Sequence, residues 1–143
     1  MIVPDINLLV WAEIDAFATH GAARRWWERL LNGERPVGIA PAALLGFIRV
    51  TTDRGVLADP LPLEDAIERT QAWLNQPPVT ILSPGRRHFD IAFRLLRQRG
   101  TPEALTTELQ LAALALEHDG EVHSTSDTFG RYEGLRWVNP IAS

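Results

Sequence analysis

The chain of 143 residues has no cysteine and no lysine, and only one tyrosine and one methionine. Without cysteine there is no disulfide framework and no thiolate metal site. Without lysine there is no Walker A phosphate loop, no Schiff base and no receiver-type phosphoacceptor site. All 14 basic residues are arginine, whose guanidinium forks onto anions but cannot serve as a base. No apolar run approaches the ~20 residues of a membrane span, and the charge pattern of a secretory signal is missing. These absences predict a cytoplasmic protein with no membrane partner. A net charge of −4 argues against a general polyanion binder and leaves room for a local basic surface.

What remains is a globular composition, 45% hydrophobic, at a length that suits one domain over residues 1–143. Its opening stretch, Ile2-Val3-Pro4-Asp5-Ile6-Asn7-Leu8-Leu9-Val10, sets the pattern for the rest. A short apolar run stops at Pro4 and Asp5, and helical apolar spacing follows. Asp5 therefore stands where a buried strand hands over to a helix. A carboxylate there serves either as an N-cap or as an anchor for a metal ion or a base.

Helices are predicted over 8–16, 20–31, 41–50, 63–75, 86–99 and 109–118, and strands over 2–4, 36–39, 79–82, 121–123 and 135–138. Pro41 opens one helix, Gly100 and Gly120 close two others, and Thr106 or Thr107 caps the last. Strands alternating with helices, with no hairpin signal, predict an α/β fold with a parallel sheet between helical layers. Trp26 and Trp27 are adjacent on a helix, so one is expected in the core and the other against a partner or a loop.

Two further acids repeat the placement of Asp5. Glu108 falls in a first helical turn, and Asp127 in a polar turn after the strand that ends at His123. Each alone is accounted for by the helix dipole or by turn chemistry. Together they can meet at the carboxyl edge of the sheet, where a cluster of acids repels itself unless a cation holds it. Oxygen ligands of this kind select Mg²⁺ or Mn²⁺. Arg86 and Arg87 sit near a helix start, where cations are unfavourable, which points to phosphate contact. The four histidines share no ligand spacing and read as surface or strand-end residues.

Four segments resemble PIN domains, and more narrowly the VapC-type toxins of bacterial toxin–antitoxin pairs. They are the opening Val3-Pro4-Asp5-Ile6-Asn7-Leu8-Leu9, Leu44-Leu45-Gly46-Phe47-Ile48-Arg49-Val50, Leu105-Thr106-Thr107-Glu108-Leu109-Gln110-Leu111-Ala112-Ala113, and the ending from His123-Ser124 to Gly134-Leu135-Arg136-Trp137. The resemblance implies a PIN-like three-layer α/β/α sandwich with a central, mostly parallel sheet of four to five strands. It also implies a Mg²⁺- or Mn²⁺-dependent endoribonuclease with Asp5, Glu108 and Asp127 as catalytic and metal-binding residues. Asn7, Thr107 and Ser126 are implied in support, and Arg86 and Arg87 are expected to bind RNA. A VapB-like antitoxin and a second copy of the chain are the implied partners, docked on large apolar groups such as Trp11, Trp26, Trp27, Phe47 and Ile48.

The chain also departs from the family pattern. The usual second acid falls at Gly46, Glu108 stands where Asp is usual, Ser126 takes the place of the last acid with Asp127 one residue displaced, and Thr128 replaces a neighbouring acid. These departures open the alternative of a weakened PIN domain that acts mainly by binding an antitoxin. They also predict that Glu108→Asp raises activity.

Overall fold

The computed structural model describes residues 1–142; Ser143, the last residue of the expected domain, lies outside the described residues. Five strands are present: β1 (Ile2–Pro4), β2 (Val37–Ile39), β3 (Val79–Ile81), β4 (Glu121–His123) and β5 (Arg136–Val138). Six helices accompany them: α1 (Ile6–Glu13), α2 (His20–Leu31), α3 (Pro41–Thr51), α4 (Leu63–Leu74), α5 (His88–Arg99) and α6 (Thr107–Glu117). Short 3₁₀ turns cover Pro102–Ala104 and Asp127–Arg131.

All strand pairs are parallel, in the order β3-β2-β1-β4-β5. β1 and β2 are buried along their whole length, as expected of apolar strands covered on both faces. The helices form two packed groups, α1 with α2 and α3 with both α1 and α4, and separately α5 with α6. The result is the expected three-layer sandwich. Its chain winds outward from β1 through β2 to β3, then returns to place β4 on the other side of β1. The strand order therefore reverses between β1 and β4, and a crevice opens at their carboxyl ends. Register fixes that crevice closely: Pro4 pairs with His123, and the Asp5 amide donates to the His123 carbonyl at 3.0 Å.

Several boundaries differ from the sequence reading for local reasons. α1 starts at Ile6 because Asp5 caps it directly, and it ends at Glu13 because Ile14 is extended. α5 starts at His88, since Arg86 and Arg87 occupy the turn before it. Gly100 closes α5 at φ 77°, a conformation that suits glycine.

Both adjacent tryptophans are inside. Trp27 packs against Trp73 (ring centroids 5.6 Å apart, nearly perpendicular), and Trp73 against Phe47 at 4.6 Å. Trp26 is buried too, because its indole N–H finds an acceptor in His123 Nδ1 at 2.9 Å. Neither tryptophan is left for a partner. Trp11 and Ile48 are half-buried, whereas Leu45, Leu63, Phe89 and Phe93 are the most exposed of the large apolar side chains apart from Leu105 and Val56.

Glu13 ties the end of α1 to α2 and α4. Its Oε1 accepts from Trp73 Nε1 at 3.0 Å, and its Oε2 meets Arg69 Nη1 at 3.0 Å and Arg24 Nη1 at 3.3 Å. Removing one partner from such a group leaves a buried indole donor unsatisfied, at a cost of ~1–3 kcal/mol. Glu13→Ala should therefore lower stability in urea by about 2 kcal/mol, and Glu13→Gln, which keeps one acceptor oxygen, by less. Equal midpoints for wild type and Glu13→Ala would remove Glu13 as a structural tie.

Candidate active site

The crevice between β1 and β4 opens into a cavity of about 540 Å³. Three chain segments bring the acids and the polar groups around them to it, and His88 and Gln110 add polar side chains to the wall. The β1–α1 junction supplies Asp5 and Asn7, the start of α6 supplies Thr107 and Glu108, and the segment after β4 supplies Ser126. Apolar side chains, among them Ile6, Leu111, Leu114 and Phe129, form much of the remaining wall.

Asp5 is held at both oxygens. Oδ1 accepts from the Ile6 amide at 2.8 Å, which is its capping bond, and Oδ2 accepts from Ser124 Oγ at 2.7 Å. Burial nevertheless pushes its carboxyl above the usual range, and the charge of Glu108 adds to the rise, against the opposing pull of Ser124 and Ile6. That Glu108 acts on Asp5 follows from their shared cavity.

Glu108 lies in the first turn of α6, whose cap is Thr106: its Oγ1 accepts from the Leu109 amide at 3.1 Å. The Glu108 carboxylate accepts from Thr128 Oγ1 at 2.5 Å and sits 3.7 Å from Arg131 Nη2. Because an ionised carboxylate only accepts, Thr128 spends its proton on Glu108, and Ser126 Oγ donates to Thr128 Oγ1 at 2.6 Å. The Ser126 amide in turn donates to Ser124 Oγ at 3.0 Å. One polar segment thus braces both acids, Ser124 under Asp5 and Thr128 under Glu108.

Asp127 is placed differently from the sequence expectation. It is exposed and lies off the cavity wall. Ser126 is extended (φ −82°, ψ 114°), so successive side chains leave opposite sides of the chain, and Ser126 takes the inward position that Asp127 would need. Among the described residues no three His, Cys, Asp or Glu side chains gather in a group able to hold a metal ion. Asp5 and Glu108 are the acids brought together.

The position of the missing second acid is also filled. A Cβ at Gly46 would stand 2.8 Å from Ile6 Cδ1, so the Ile6 side chain occupies the space an acidic residue would enter. Asn7 and Thr107 line the cavity from exposed positions; the brace on Asp5 comes instead from Ser124, which sequence reading passed over as part of a turn. Arg86 and Arg87 are exposed and off the cavity wall, on the loop between its lining residues Pro84 and His88. Glu117 holds that loop through the amides of Gly85 (2.7 Å) and Arg87 (3.0 Å). Arg131 and His88 also border this site without any signal in the spacing of the sequence.

The donor set suits a hard divalent cation. It is all oxygen, two carboxylates with lone pairs to spare, and Mg²⁺ is commonly bound through one or two carboxylates with waters and substrate phosphates completing its shell.

This geometry bears on the expectation for Glu108. Its carboxylate accepts from Thr128 at 2.5 Å, a bond that a side chain one methylene shorter would have to stretch. Glu108→Asp should therefore weaken Mn²⁺ binding, by roughly tenfold for the loss of one charge-assisted bond, as read by calorimetric titration. Tighter binding in the shorter variant would mean that Thr128 does not hold Glu108.

Comparison with known proteins agrees with the fold. The PIN-domain family model matches residues 2–132. The chain is 47% identical to Ribonuclease VapC33 of Mycobacterium tuberculosis over 141 residues, covering 99% of each protein. Two solved structures share the fold at low identity. VapBC2 from Rickettsia felis, bound to a DNA fragment from their promoter, has a TM-score of 0.70 at 15% identity and covers 96% of this chain and 98% of its own. VapC20 of Mycobacterium tuberculosis, a sarcin–ricin loop cleaving toxin, has a TM-score of 0.65 at 13% identity, with 95% and 99% covered. The chain belongs to the PIN-domain family, among its VapC-type ribonucleases.

Proposed function

We propose that the protein is a toxin endoribonuclease that hydrolyses phosphodiester bonds in RNA with Mg²⁺ or Mn²⁺ held by Asp5 and Glu108. The observation that carries this reading is the pair of acids sharing one cavity at the sheet's switch point, with Asp5 raised by burial and by its neighbour's charge. When bound, the cation supplies a more acidic water and neutralises charge on the phosphoryl group.

The chain's own residues do the rest. Ser124 and the Ile6 amide fix the rotamer of Asp5, and the Ser126–Thr128 pair fixes Glu108. Arg131 faces Glu108 from outside the cavity, where a guanidinium can also meet a phosphate oxygen. Arg86 and Arg87 stand exposed on the loop between the lining residues Pro84 and His88 and are suited to contact the RNA backbone. Asp127 is assigned no contact with the ion.

A VapB-like antitoxin and a second copy of the chain are the proposed partners, in the cytoplasm. The exposed pair Phe89 and Phe93 on α5, 6.3 Å apart, together with Leu45 on α3, supports such docking. No helix among the described residues is long and apolar enough to cross a membrane. The alternative of a weakened PIN domain that works mainly by binding antitoxin is supported by the filled Gly46 position and by the hydroxyls at 126 and 128.

Asp5→Asn separates folding from chemistry. Because the folded carboxyl of Asp5 is raised, its contribution to stability is present below the ordinary carboxylate range and is lost as pH rises through the folded value. At neutral pH the metal-free Asn variant should melt at or slightly above the wild type, since Asn caps about as well. It should cleave no RNA in Mg²⁺ or Mn²⁺ and gain no thermal stability from either ion. Wild-type rates in the variant would remove Asp5 from the mechanism. A wild type that binds Mn²⁺ yet leaves RNA intact would favour the antitoxin-binding reading.

A further inference from the structure

His88, the first residue of α5, lines the same cavity as Asp5 and Glu108, as does Pro84 in the β3–α5 connection. It is 8% exposed, and its Nδ1 is buried with no hydrogen-bond partner among the described residues. A buried N–H without an acceptor is harder to tolerate than a bare lone pair without a donor. In its neutral form the ring therefore carries its proton on Nε2, the nitrogen that is not shut away, and a side chain that lines the cavity can offer it an N–H donor.

What that donor meets follows from the rest of the wall. No arginine lines the cavity, and Ala42, Ala43, Leu111 and Leu114 make much of it apolar. Away from the acid pair a phosphate would find no cationic side chain on this wall, whereas a flat, neutral heterocycle would find apolar surface. The volume of about 540 Å³ falls within the ~300–1,000 Å³ of small-ligand clefts. Unstacked RNA bases are commonly bound in this manner, with apolar contact on the face and hydrogen bonds on the edge. We propose that the cavity takes one unstacked RNA base and that His88 Nε2–H donates to an acceptor on its edge, making His88 a specificity-determining residue. The identification of the ligand as RNA rests on the nuclease reading; the donor in the cavity does not.

The test uses metal-free protein in EDTA and four RNA tetranucleotides, r(A)₄, r(C)₄, r(G)₄ and r(U)₄. Two-bond ¹H–¹⁵N spectra should show the Nε2–H tautomer of His88 before RNA is added. Titration should then reveal a preference among the four, and His88→Ala should flatten it through roughly a tenfold loss for the preferred one. His88→Gln, whose amide reaches toward the place of Nε2, should restore part of the preference, and His88→Asn, which mimics Nδ1, should not. If the alanine variant melts early, the comparison of the Gln and Asn variants carries the test. An Nδ1–H tautomer, an unchanged preference in His88→Ala, or no preference in the wild type would each overturn the proposal. Selective binding through His88 in a protein that never cuts RNA would leave it standing and remove the nuclease reading. RNA cleavage with unaltered base preference in His88→Ala would do the reverse.

Discussion

The cavity at the ends of β1 and β4 contains two carboxylates of like sign, and the surrounding groups are arranged around their repulsion. Burial and the charge of Glu108 push the Asp5 carboxyl upward, while Ser124 and the Ile6 amide act to hold its charged form. Arg131 approaches Glu108 at 3.7 Å but sits partly in solvent, where such a contact is screened. The arrangement gathers two acidic side chains in a concave, half-apolar space. A divalent cation is the economical answer to that repulsion, and the all-oxygen donor set selects a hard one.

Topology explains why these two acids meet although they are far apart in sequence. The sheet reverses direction of growth between β1 and β4, and their parallel pairing brings Pro4 opposite His123. The residues immediately after each strand, Asp5 and Ser124, are then forced within 2.7 Å of one another. Crossing back over the sheet, α6 delivers Glu108 to the same crevice with a helix N-terminus behind it, an environment that favours a carboxylate. Where the family pattern has acids, this chain has hydroxyls at 126 and 128. They cannot replace carboxylates as charged ligands, and they act instead as a brace, one end of which fixes the longer side chain of Glu108.

Much of this was legible in the residues. Gly100 marked the end of α5 and Pro41 the start of α3, because caps and breakers act locally. Strand alternation with helices gave a parallel sheet, and the placement of Asp5 and Glu108 at element starts marked both as candidates. Other features were not legible, since they depend on contacts between distant segments. The inward turn of Ser126 over Asp127 reflects backbone direction after β4, which spacing does not encode. The burial of Trp26 depends on an acceptor 97 residues away, His123 Nδ1. His88 carries no motif, and it reaches the cavity wall at the end of a loop that Glu117, 29 residues further along the chain, holds through the Gly85 and Arg87 amides. The emptiness at Gly46 is likewise filled by a side chain from another element, Ile6.

The central claim is that Asp5 and Glu108 together hold one cation. The most direct measurement is anomalous diffraction from crystals of the protein soaked in MnCl₂. The account predicts one Mn²⁺ peak bridging the carboxylates of Asp5 and Glu108, with Asp127 making no contact. A cavity without a peak, or a peak bound through Asp127 and away from Glu108, would contradict it.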